Sequence, residues 1–426
     1  MYWLREQLAA TLRVLARLTI RKFDPGIIGI TGSVGKTSAK MAIATVLKSM
    51  RRVRVDPESL NNEFGLPLAI LGGWSERDIR FVSKMEQAGG RRIGKIFFWS
   101  KILILAVLRI IFLPRARYPE LLVLEYGAQA PGDIKYLLSI ARPQIGVLTA
   151  IGETPVHVEN YPNVEALYRE KGRILESLQS TGVAILNADD EAVFAMRDRT
   201  RAHVMTFGFS SRAEMRITNF ENKVEDKRPT GISFKLNYGG NVVPIRIDGV
   251  FGKSAAYAAA SAACAGIAFG IHLVRTEEAL KSYQHPDHRM RLISGVKETW
   301  IIDDAYNASP LSTEAAIEAV RDIPGSRKIA VLGDMLELGE YAIPAHEALG
   351  KAVAKVFDVL VTVGPRAKFI AQSARSLGME KRNIMSFDTA DEARLPLQDL
   401  LKKGDLVLIK ASRGIGLQVL VDEIKI

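Results

Sequence analysis

The sequence predicts an α/β fold built from two mainly parallel sheets in series, the second doubly wound. Three observations carry this. Short apolar runs of strand length alternate with helix-length amphipathic segments from residue 26 onward, the pattern of a parallel sheet. A glycine-rich turn, Gly32-Ser33-Val34-Gly35, joins the first apolar run to Lys36-Thr37 at the head of a helix. Three later runs end in polar clusters, as strands do at the ligand edge of an α/β sheet.

Residues 3–22 fit an amphipathic helix. Leu4, Leu8, Leu12, Leu15 and Leu18 recur at helical spacing, Arg5, Arg13 and Arg17 lie off that stripe, and Asp24-Pro25-Gly26 ends it. Residues 27–30 read as a buried strand. Gly32, Ser33 and Gly35 then let backbone N–H groups turn inward on an anion. The helix N-terminus adds partial positive charge, Lys36 reaches phosphate oxygens, and Thr37 suits Mg²⁺. Ile30 stands where the strict G-x-x-x-x-G-K-[ST] spacing has its first glycine. The motif specifies a nucleotide, not a reaction.

A second unusual segment covers residues 95–113, flanked by Arg91, Arg92, Arg115 and Arg117. It approaches the about 20 residues needed to span a bilayer. Lys101 and Arg109 lie inside it, where charge is expensive in lipid, so an interfacial helix or one packed on residues 3–22 is expected in preference to a span. Strands are predicted at 121–124, 145–149 and 183–186, with helices at 133–141 and 163–179. An antiparallel excursion is expected over 203–250, and an alanine-rich helix over 254–268. Beyond His285-Pro286-Asp287 a new series begins, with strands at 300–302, 328–332, 359–363 and 405–409 and helices at 312–321 and 345–356. The predicted organisation is a basic amphipathic helix (1–25), a P-loop nucleotide-binding central domain with a mainly parallel sheet (26–284), and a C-terminal Rossmann-like doubly wound domain (285–426). The central domain carries an apolar and basic insertion at about 76–117.

The 426 residues suit two or three domains, and 48% hydrophobic with 25% charged residues is an ordinary globular composition. The single cysteine, Cys264, excludes an internal disulfide and a cysteine-rich zinc site, and fits a reducing cytosol. Arg5, Arg13 and Arg17 break every early apolar run before it reaches signal-peptide length. The expected location is cytoplasmic, either free or peripheral at the inner face of the membrane. The net charge of +11 is uneven: residues 1–120 hold 21 Lys/Arg against 9 Asp/Glu. An anionic membrane surface, met through 1–22 and 91–117, or a nucleotide-linked substrate would account for it; a solvated basic surface is the plain alternative. No nucleic-acid recognition motif is present.

Glu125 ends a strand at the ligand edge, a natural place for a Mg²⁺ ligand or a helix cap. His157 follows a strand, where a lone histidine is ordinarily structural, and Lys171 lies on a helix, where lysine is ordinarily solvated. Asp303-Asp304 with Asn307 suits a ribose, a cation or an Asx-turn. Asp334 and Glu337, in Gly-Asp-Met-Leu-Glu-Leu-Gly, suit an ammonium group. Lys410-Ala-Ser412-Arg413 suits a carboxylate.

Taken together, these residues resemble the Mur ligase superfamily, and within it the branch that joins D-alanyl-D-alanine to a muramoyl tripeptide. The supporting strings are Ile30-Thr-Gly-Ser-Val-Gly-Lys-Thr-Ser, Asn61-Asn-Glu-Phe-Gly, Leu124-Glu-Tyr-Gly-Ala, Glu170-Lys-Gly-Arg-Ile, Asn187-Ala-Asp-Asp, His288-Arg-Met, Asp303-Asp-Ala-Tyr-Asn-Ala, Gly333-Asp-Met-Leu-Glu-Leu-Gly with His346, and Lys410-Ala-Ser-Arg-Gly. The resemblance implies ATP-dependent activation of a carboxylate as an acyl phosphate and its capture by an amine. It implies that Gly32, Ser33, Gly35, Lys36, Thr37, Asn62, Arg289 and Asp304 bind ATP. Thr37 and Glu125 would hold one Mg²⁺, and His157 a second. Lys171 would carry a CO₂-derived carbamate that serves the metal site. Lys36, Glu125, His157, Lys171 and Arg289 would be catalytic, and Asn307, Asp334, Glu337, Ser412 and Arg413 would receive the amine. A muramoyl-peptide-like precursor and a small amine or dipeptide would be the substrates.

The sequence departs from the family pattern in four places. Only about 25 residues precede the phosphate loop, so the usual UDP-gripping N-terminal domain is expected to be missing. The 76–117 segment reads as an insertion. Gly252-Lys-Ser-Ala-Ala-Tyr replaces a His-Asn string, and Ile415-Gly416 replaces Met-Arg. The competing readings are another carboxylate–amine ligase, of polyglutamate or cyanophycin type, and a non-catalytic nucleotide-binding scaffold at the membrane.

Overall fold

The computed structural model describes residues 2–55, 60–72, 74, 92–226 and 228–426. Residues 76–91 of the expected insertion lie outside them. The first sheet has nine strands: β1 (Gly26–Thr31), β2 (Val53–Val55), β3 (Leu121–Glu125), β4 (Ile145–Leu148), β5 (Val183–Asn187), β6 (His203–Gly208), β7 (Met215–Glu225), β8 (Arg228–Tyr238) and β9 (Asn241–Asp248). Their order is β2-β3-β1-β4-β5-β6-β7-β8-β9. β1 lies between β3 and β4, parallel to both, with Ile30 opposite Glu125 and Thr31 opposite Leu148. The loops that leave these strands therefore gather at one edge. β1, β3 and β4 are buried almost throughout because helices cover both faces.

The antiparallel excursion expected over 203–250 is only partly so. β6 is parallel to β5, and the hairpins β7-β8 and β8-β9 extend the same sheet. Strict alternation of buried and exposed residues along β9 marks a half-buried strand. One face of the sheet is covered by α2 (Lys36–Lys48) and the alanine-rich helix Lys253–Ala268, whose Ala256, Ala259, Ala260 and Ala263 are fully buried. The small side chains let this helix lie close on α2. Helices Asp133–Ile140 and Val164–Glu176 cover the other face.

At the β2 edge, α1 (Tyr2–Phe23), α3 (Gly65–Leu71) and α4 (Arg92–Phe112) share an apolar cluster containing Leu12, Phe64, Leu68, Phe98, Ile102 and Ala106. The face of α1 that turns inward is Leu12, Ala16, Thr19 and Phe23; Leu18, expected on the buried stripe, is 42% exposed. The rotation follows from the end of the helix, where Phe23 stacks on Tyr118 at 4.3 Å. The Lys22 ammonium donates to the carbonyls of Ile110 and Leu113 and so ties α1 to the C-terminus of α4, where the helix dipole favours a cation. No helix among the described residues is long and apolar enough to cross a membrane.

The second sheet comprises β10 (Arg291–Gly295), β11 (Thr299–Asp304), β12 (Lys328–Gly333), β13 (Val359–Val363), β14 (Ile384–Phe387) and β15 (Leu406–Lys410), in the order β10-β11-β15-β12-β13-β14. All pairs are parallel except β10-β11. β15 enters between β11 and β12, so Asp304, Lys410 and Gly333 end three adjacent strands, a crevice of the doubly wound kind.

Substituting Ala259→Leu forces bulk between the alanine-rich helix and α2. The expected loss is about 1–3 kcal/mol, the usual cost of overpacking. It would be read as a lower urea midpoint at unchanged slope.

Candidate active site

The phosphate loop is held from below by β4. Ser33 N and Val34 N donate to Ala150 O at 2.6 and 3.0 Å, and the Thr149 hydroxyl donates to Val34 O at 2.6 Å. Gly32 has φ +145° and Gly35 φ +86°, and a Cβ on Gly32 would stand 2.2 Å from Thr149 Oγ1, so no other residue fits there without displacement. Lys36 Nζ folds back on Gly32 O at 2.9 Å, and Lys171 Nζ reaches the same carbonyl at 3.0 Å. Ser33 Oγ is buried with no partner in the structure.

Glu125 is the buried centre of the site. Its Oε2 accepts from Thr37 Oγ1 at 3.2 Å and stands 3.6 Å from Lys40 Nζ, while Oε1 accepts from Asn61 Nδ2 at 3.1 Å. Burial pushes the Glu125 carboxyl up, but Lys40, Lys36, Arg289 and the Asn61 bond outweigh it and hold it below the ordinary range. Burial, reinforced by the neighbouring Lys36 charge, holds the Lys171 ammonium well below its ordinary value and favours the neutral amine. Burial also lowers Lys36, against the opposing pull of Glu125.

The C-terminal domain reaches into this centre. Arg289 Nη2 donates to Thr37 Oγ1 at 3.1 Å, and its guanidinium lies 4.2 Å over the Tyr306 ring. Behind it Lys410 pairs with Asp304 and donates to Asn307 O at 2.9 Å, and Met290 N donates to Asp304 Oδ1 at 3.1 Å. Burial raises the Asp304 carboxyl even against Lys410. The two domains enclose a cleft of about 1280 Å³, lined by both the phosphate loop and the ends of the second sheet.

The structure thus brings Gly32, Ser33, Gly35, Lys36, Thr37, Glu125, Lys171 and Arg289 together, and sets Asp304, Asn307, Ser412 and Arg413 along the same cleft. Asn62, His157 and Glu337 also line this cleft, but their side chains are engaged with other groups of the protein, and Asp334 stands outside it. His157 Nδ1 lies 2.9 Å from Glu337 Oε2 across the domain boundary, and His157 N donates to Glu337 O at 3.0 Å. The side-chain bond from His157 holds the Glu337 carboxyl below its ordinary value. Asn62 Oδ1 accepts from Phe64 N at 3.2 Å and Gly65 N at 2.8 Å in the turn that leads into α3; its neighbour Asn61 makes the Glu125 contact. Asp334 is buried and accepts from Ala367 N at 2.7 Å, outside the cleft lining. Among the described residues no three His, Cys, Asp or Glu side chains converge on a metal-sized centre.

Sequence reasoning missed Lys40, Tyr306, Lys410's partnership with Asp304, and His285. Lys40 carried one signal: it lies one turn after Lys36 on a helix whose start was already fixed. The Tyr283 hydroxyl donates to Ser38 O and accepts from His285 Nδ1, leaving His285 Nε2 buried and without a partner on the cleft wall. Burial, with Arg289 and Arg291 nearby, holds this imidazole down at about 3.

Comparison with known proteins agrees with this geometry. Residues 106–266 match the Mur ligase middle domain, and residues 288–413 match the Mur ligase glutamate ligase domain. A UDP-N-acetylmuramoyl-tripeptide–D-alanyl-D-alanine ligase from Mycobacterium leprae is 30% identical over 97% of this chain and 76% of its own length. The Bacillus subtilis protein of the same name is 28% identical over 97% and 79%. Among solved structures, MurF from Acinetobacter baumannii superposes with a TM-score of 0.77 at 23% identity, covering 98% of this chain and 80% of that one. The Thermotoga maritima MurF ligase in complex with ADP gives 0.75 at 24%, covering 97% and 83%.

Two outcomes are expected of this site. Lys40→Met removes the nearest counter-charge of the buried Glu125 carboxylate and should cost at most the about 3–5 kcal/mol of breaking a buried pair, since Thr37, Asn61, Lys36 and Arg289 remain around it. Lys40→Met with Glu125→Gln should cost clearly less than the sum of the two, as a double-mutant cycle in urea would show. For His285, the unfolded state takes up a proton below about 6.5 that the folded state refuses until about 3. Stability should therefore fall as pH drops through that window, and His285→Asn should flatten the fall by about one proton equivalent in pH-resolved denaturation.

Proposed function

The chain belongs to the Mur ligase family, and on that premise we propose that it is an ATP-dependent carboxylate–amine ligase. In this reading it adds D-alanyl-D-alanine, or an amine like it, to a muramoyl-peptide cell-wall precursor. The observation that carries the proposal is the bond from Arg289 to Thr37. It sets a guanidinium of the C-terminal domain against the hydroxyl that opens the phosphate-loop helix, so that one cleft presents phosphate-binding groups from both domains.

The residues supply distinct parts of the chemistry. The loop from Gly32 to Gly35 and the Lys36 ammonium hold the phosphates of ATP. Thr37 Oγ1 and Glu125 Oε2, 3.2 Å apart, form a hydroxyl–carboxylate pair suited to the Mg²⁺ that accompanies ATP, which would neutralise charge on the transferring group. An oxygen of the precursor carboxylate attacks the γ-phosphorus and ADP leaves. The amine then attacks the acyl carbon and inorganic phosphate departs. Arg289 stabilises charge on the transferring phosphoryl group. Lys171 is fully buried and favours the neutral amine that adds to CO₂, which supports a carbamate at this position. His157 would approach a second Mg²⁺ only after release from Glu337. Asn307, Ser412, Arg413 and Glu337 line the part of the cleft where the amine substrate would lie; Asp334 would orient the adjoining loop. The basic, apolar face of α1 and α4 rests, in this reading, on the inner face of an anionic membrane.

The test is incubation with ATP, Mg²⁺, UDP-muramoyl tripeptide and D-alanyl-D-alanine, followed by mass spectrometry. A product heavier by the dipeptide minus water, formed with one ADP, is expected. Lys36→Ala should abolish it, and Arg289→Ala should lower kcat by about 10²–10³, the scale for losing one preorganised charge donor. Lys171→Ala should be inactive and partly rescued by small carboxylates. Absence of ADP release with every muramoyl-peptide and amine pair would overturn the ligase reading.

A further inference from the structure

His346 is a fully buried imidazole with no part in the chemistry proposed above. It lies on the second turn of the helix Ala342–Val356, and both of its ring nitrogens are engaged. Nδ1 stands 2.6 Å from Ala342 O. A carbonyl only accepts, so Nδ1 carries the proton and donates. Nε2 is left with its lone pair, and Met335 N donates to it at 2.9 Å. Burial holds the imidazole below its ordinary value, against the pull of the Ala342 carbonyl and Asp334, and so keeps that lone pair unprotonated at neutral pH.

The bond to Met335 is one of a series that fixes the loop after β12. Asp334 N donates to Val363 O at 3.2 Å, Met335 N to His346 Nε2, and Leu336 N to Ser412 Oγ at 2.9 Å. Successive N–H groups are thus tied to the end of β13, to the helix Ala342–Val356 and to the turn after β15. Ser412 N returns a bond to Asp334 O at 3.0 Å. Met335 and Leu338 are buried, while Glu337 between them lines the cleft with φ +64°. A non-glycine residue in the left-handed region persists where its surroundings over-determine it, and the tethered N–H groups supply that constraint. A carboxylate offers about four acceptor sites, so the contact of Glu337 with His157 does not exhaust it. Without Nε2, Met335 N–H would be a buried donor lacking a partner, and the loop would shift to satisfy it.

We propose that His346 is the positioning residue of the amine site: by accepting from Met335 N it fixes the loop from which the Glu337 carboxylate meets the ammonium group of the incoming amine. The inference rests on the ligase reading above and deepens it. It assigns the charged end of the amine to Glu337, and the placing of that contact to a histidine that does not itself line the cleft. A carboxylate on a loose loop would follow any cation. One held at a fixed point favours an amine whose ammonium group arrives there, because no ordering cost is left to meet on binding.

The experiment divides the two bonds of the ring between two variants. The glutamine side-chain oxygen is as many bonds from Cβ as Nε2, so His346→Gln keeps the acceptor for Met335 N and loses the donor to Ala342 O. The asparagine side-chain nitrogen matches Nδ1, so His346→Asn does the reverse. With ATP, Mg²⁺, UDP-muramoyl tripeptide and D-alanyl-D-alanine, His346→Asn should raise KM for the dipeptide by about tenfold or more, the scale of a buried donor left unpaired, and leave KM for ATP within about twofold. His346→Gln should stay within about threefold of the wild type for both. On a Glu337→Gln background, which raises the dipeptide KM by itself, His346→Asn should add less than about twofold. Equal effects of the two histidine variants, equal rises for ATP and dipeptide, or full additivity with Glu337→Gln would each overturn the proposal. Glu337→Asp is a check that needs no buried substitution. On a fixed loop the shorter carboxylate misses the ammonium group, and the dipeptide KM should rise by about tenfold; an unchanged KM would overturn the proposal. Hydrogen exchange at Met335 N–H, followed without substrates, should quicken by about tenfold in His346→Asn and stay near the wild type in His346→Gln. If exchange obeys this order while no pairing of muramoyl peptide and amine yields product, the ligase reading falls and takes the amine assignment with it. If product forms and exchange in His346→Asn is unchanged, the proposal alone fails.

Discussion

The site is organised around one costly group, the Glu125 carboxylate buried at the end of β3. A charge in that position is tolerated only if it is paired and hydrogen-bonded. Its partners fix the surroundings in turn. Lys40 and Thr37 must lie on one face of α2, which sets the rotation of that helix and hence the direction of Lys36. Asn61 must arrive from the segment before α3, which draws α3 and α1 against the sheet edge. Through the Thr37 hydroxyl the same network extends to Arg289, so the placement of the second domain is tied to a carboxylate in the first.

The two domains are strongly built within themselves and lightly joined. Asp304 with Lys410 and Asp303 with His288 are satisfied inside the C-terminal domain. Apart from the bond of Arg289 to Thr37, the ion pairs described across the cleft are of a different kind: His157 with Glu337 and Lys253 with Glu318 are partly or largely exposed, and such pairs contribute little to stability. Such links can break and re-form without unfolding either half. That suits a reaction in which an acyl phosphate must be shielded from water and the product then released.

Much of the fold was legible because buried parallel strands are continuous apolar runs, and those at 27–30, 121–124, 328–332 and 359–363 stand out by composition alone. β14 did not, since Ile384–Phe387 is a short, half-buried edge strand with no strong pattern. Leu18 misled because leucine spacing cannot say which side of a helix meets a neighbour. In the site, the phosphate loop was legible because its residues are contiguous, and Glu125 because it ends an obvious strand. Lys40, Asn61 and the Tyr306 ring under Arg289 were not, because their meaning depends on groups far away in sequence. Asp334 was legible as an acid at a strand end, but its capping of the helix Ala367–Ser376 is a tertiary fact.

α1 ends at Phe23 and β1 begins at Gly26, so the outer helix runs almost directly into the strand that delivers the phosphate loop. β1 has six residues, which at about 3.3 Å each gives a reach of about 20 Å from the end of α1 to the loop. A surface that gripped α1 would thereby set the height of the catalytic cleft above it. An acceptor tethered to that surface by a linker of matching length would meet the cleft at a high local concentration, and one with a shorter tether would not reach it.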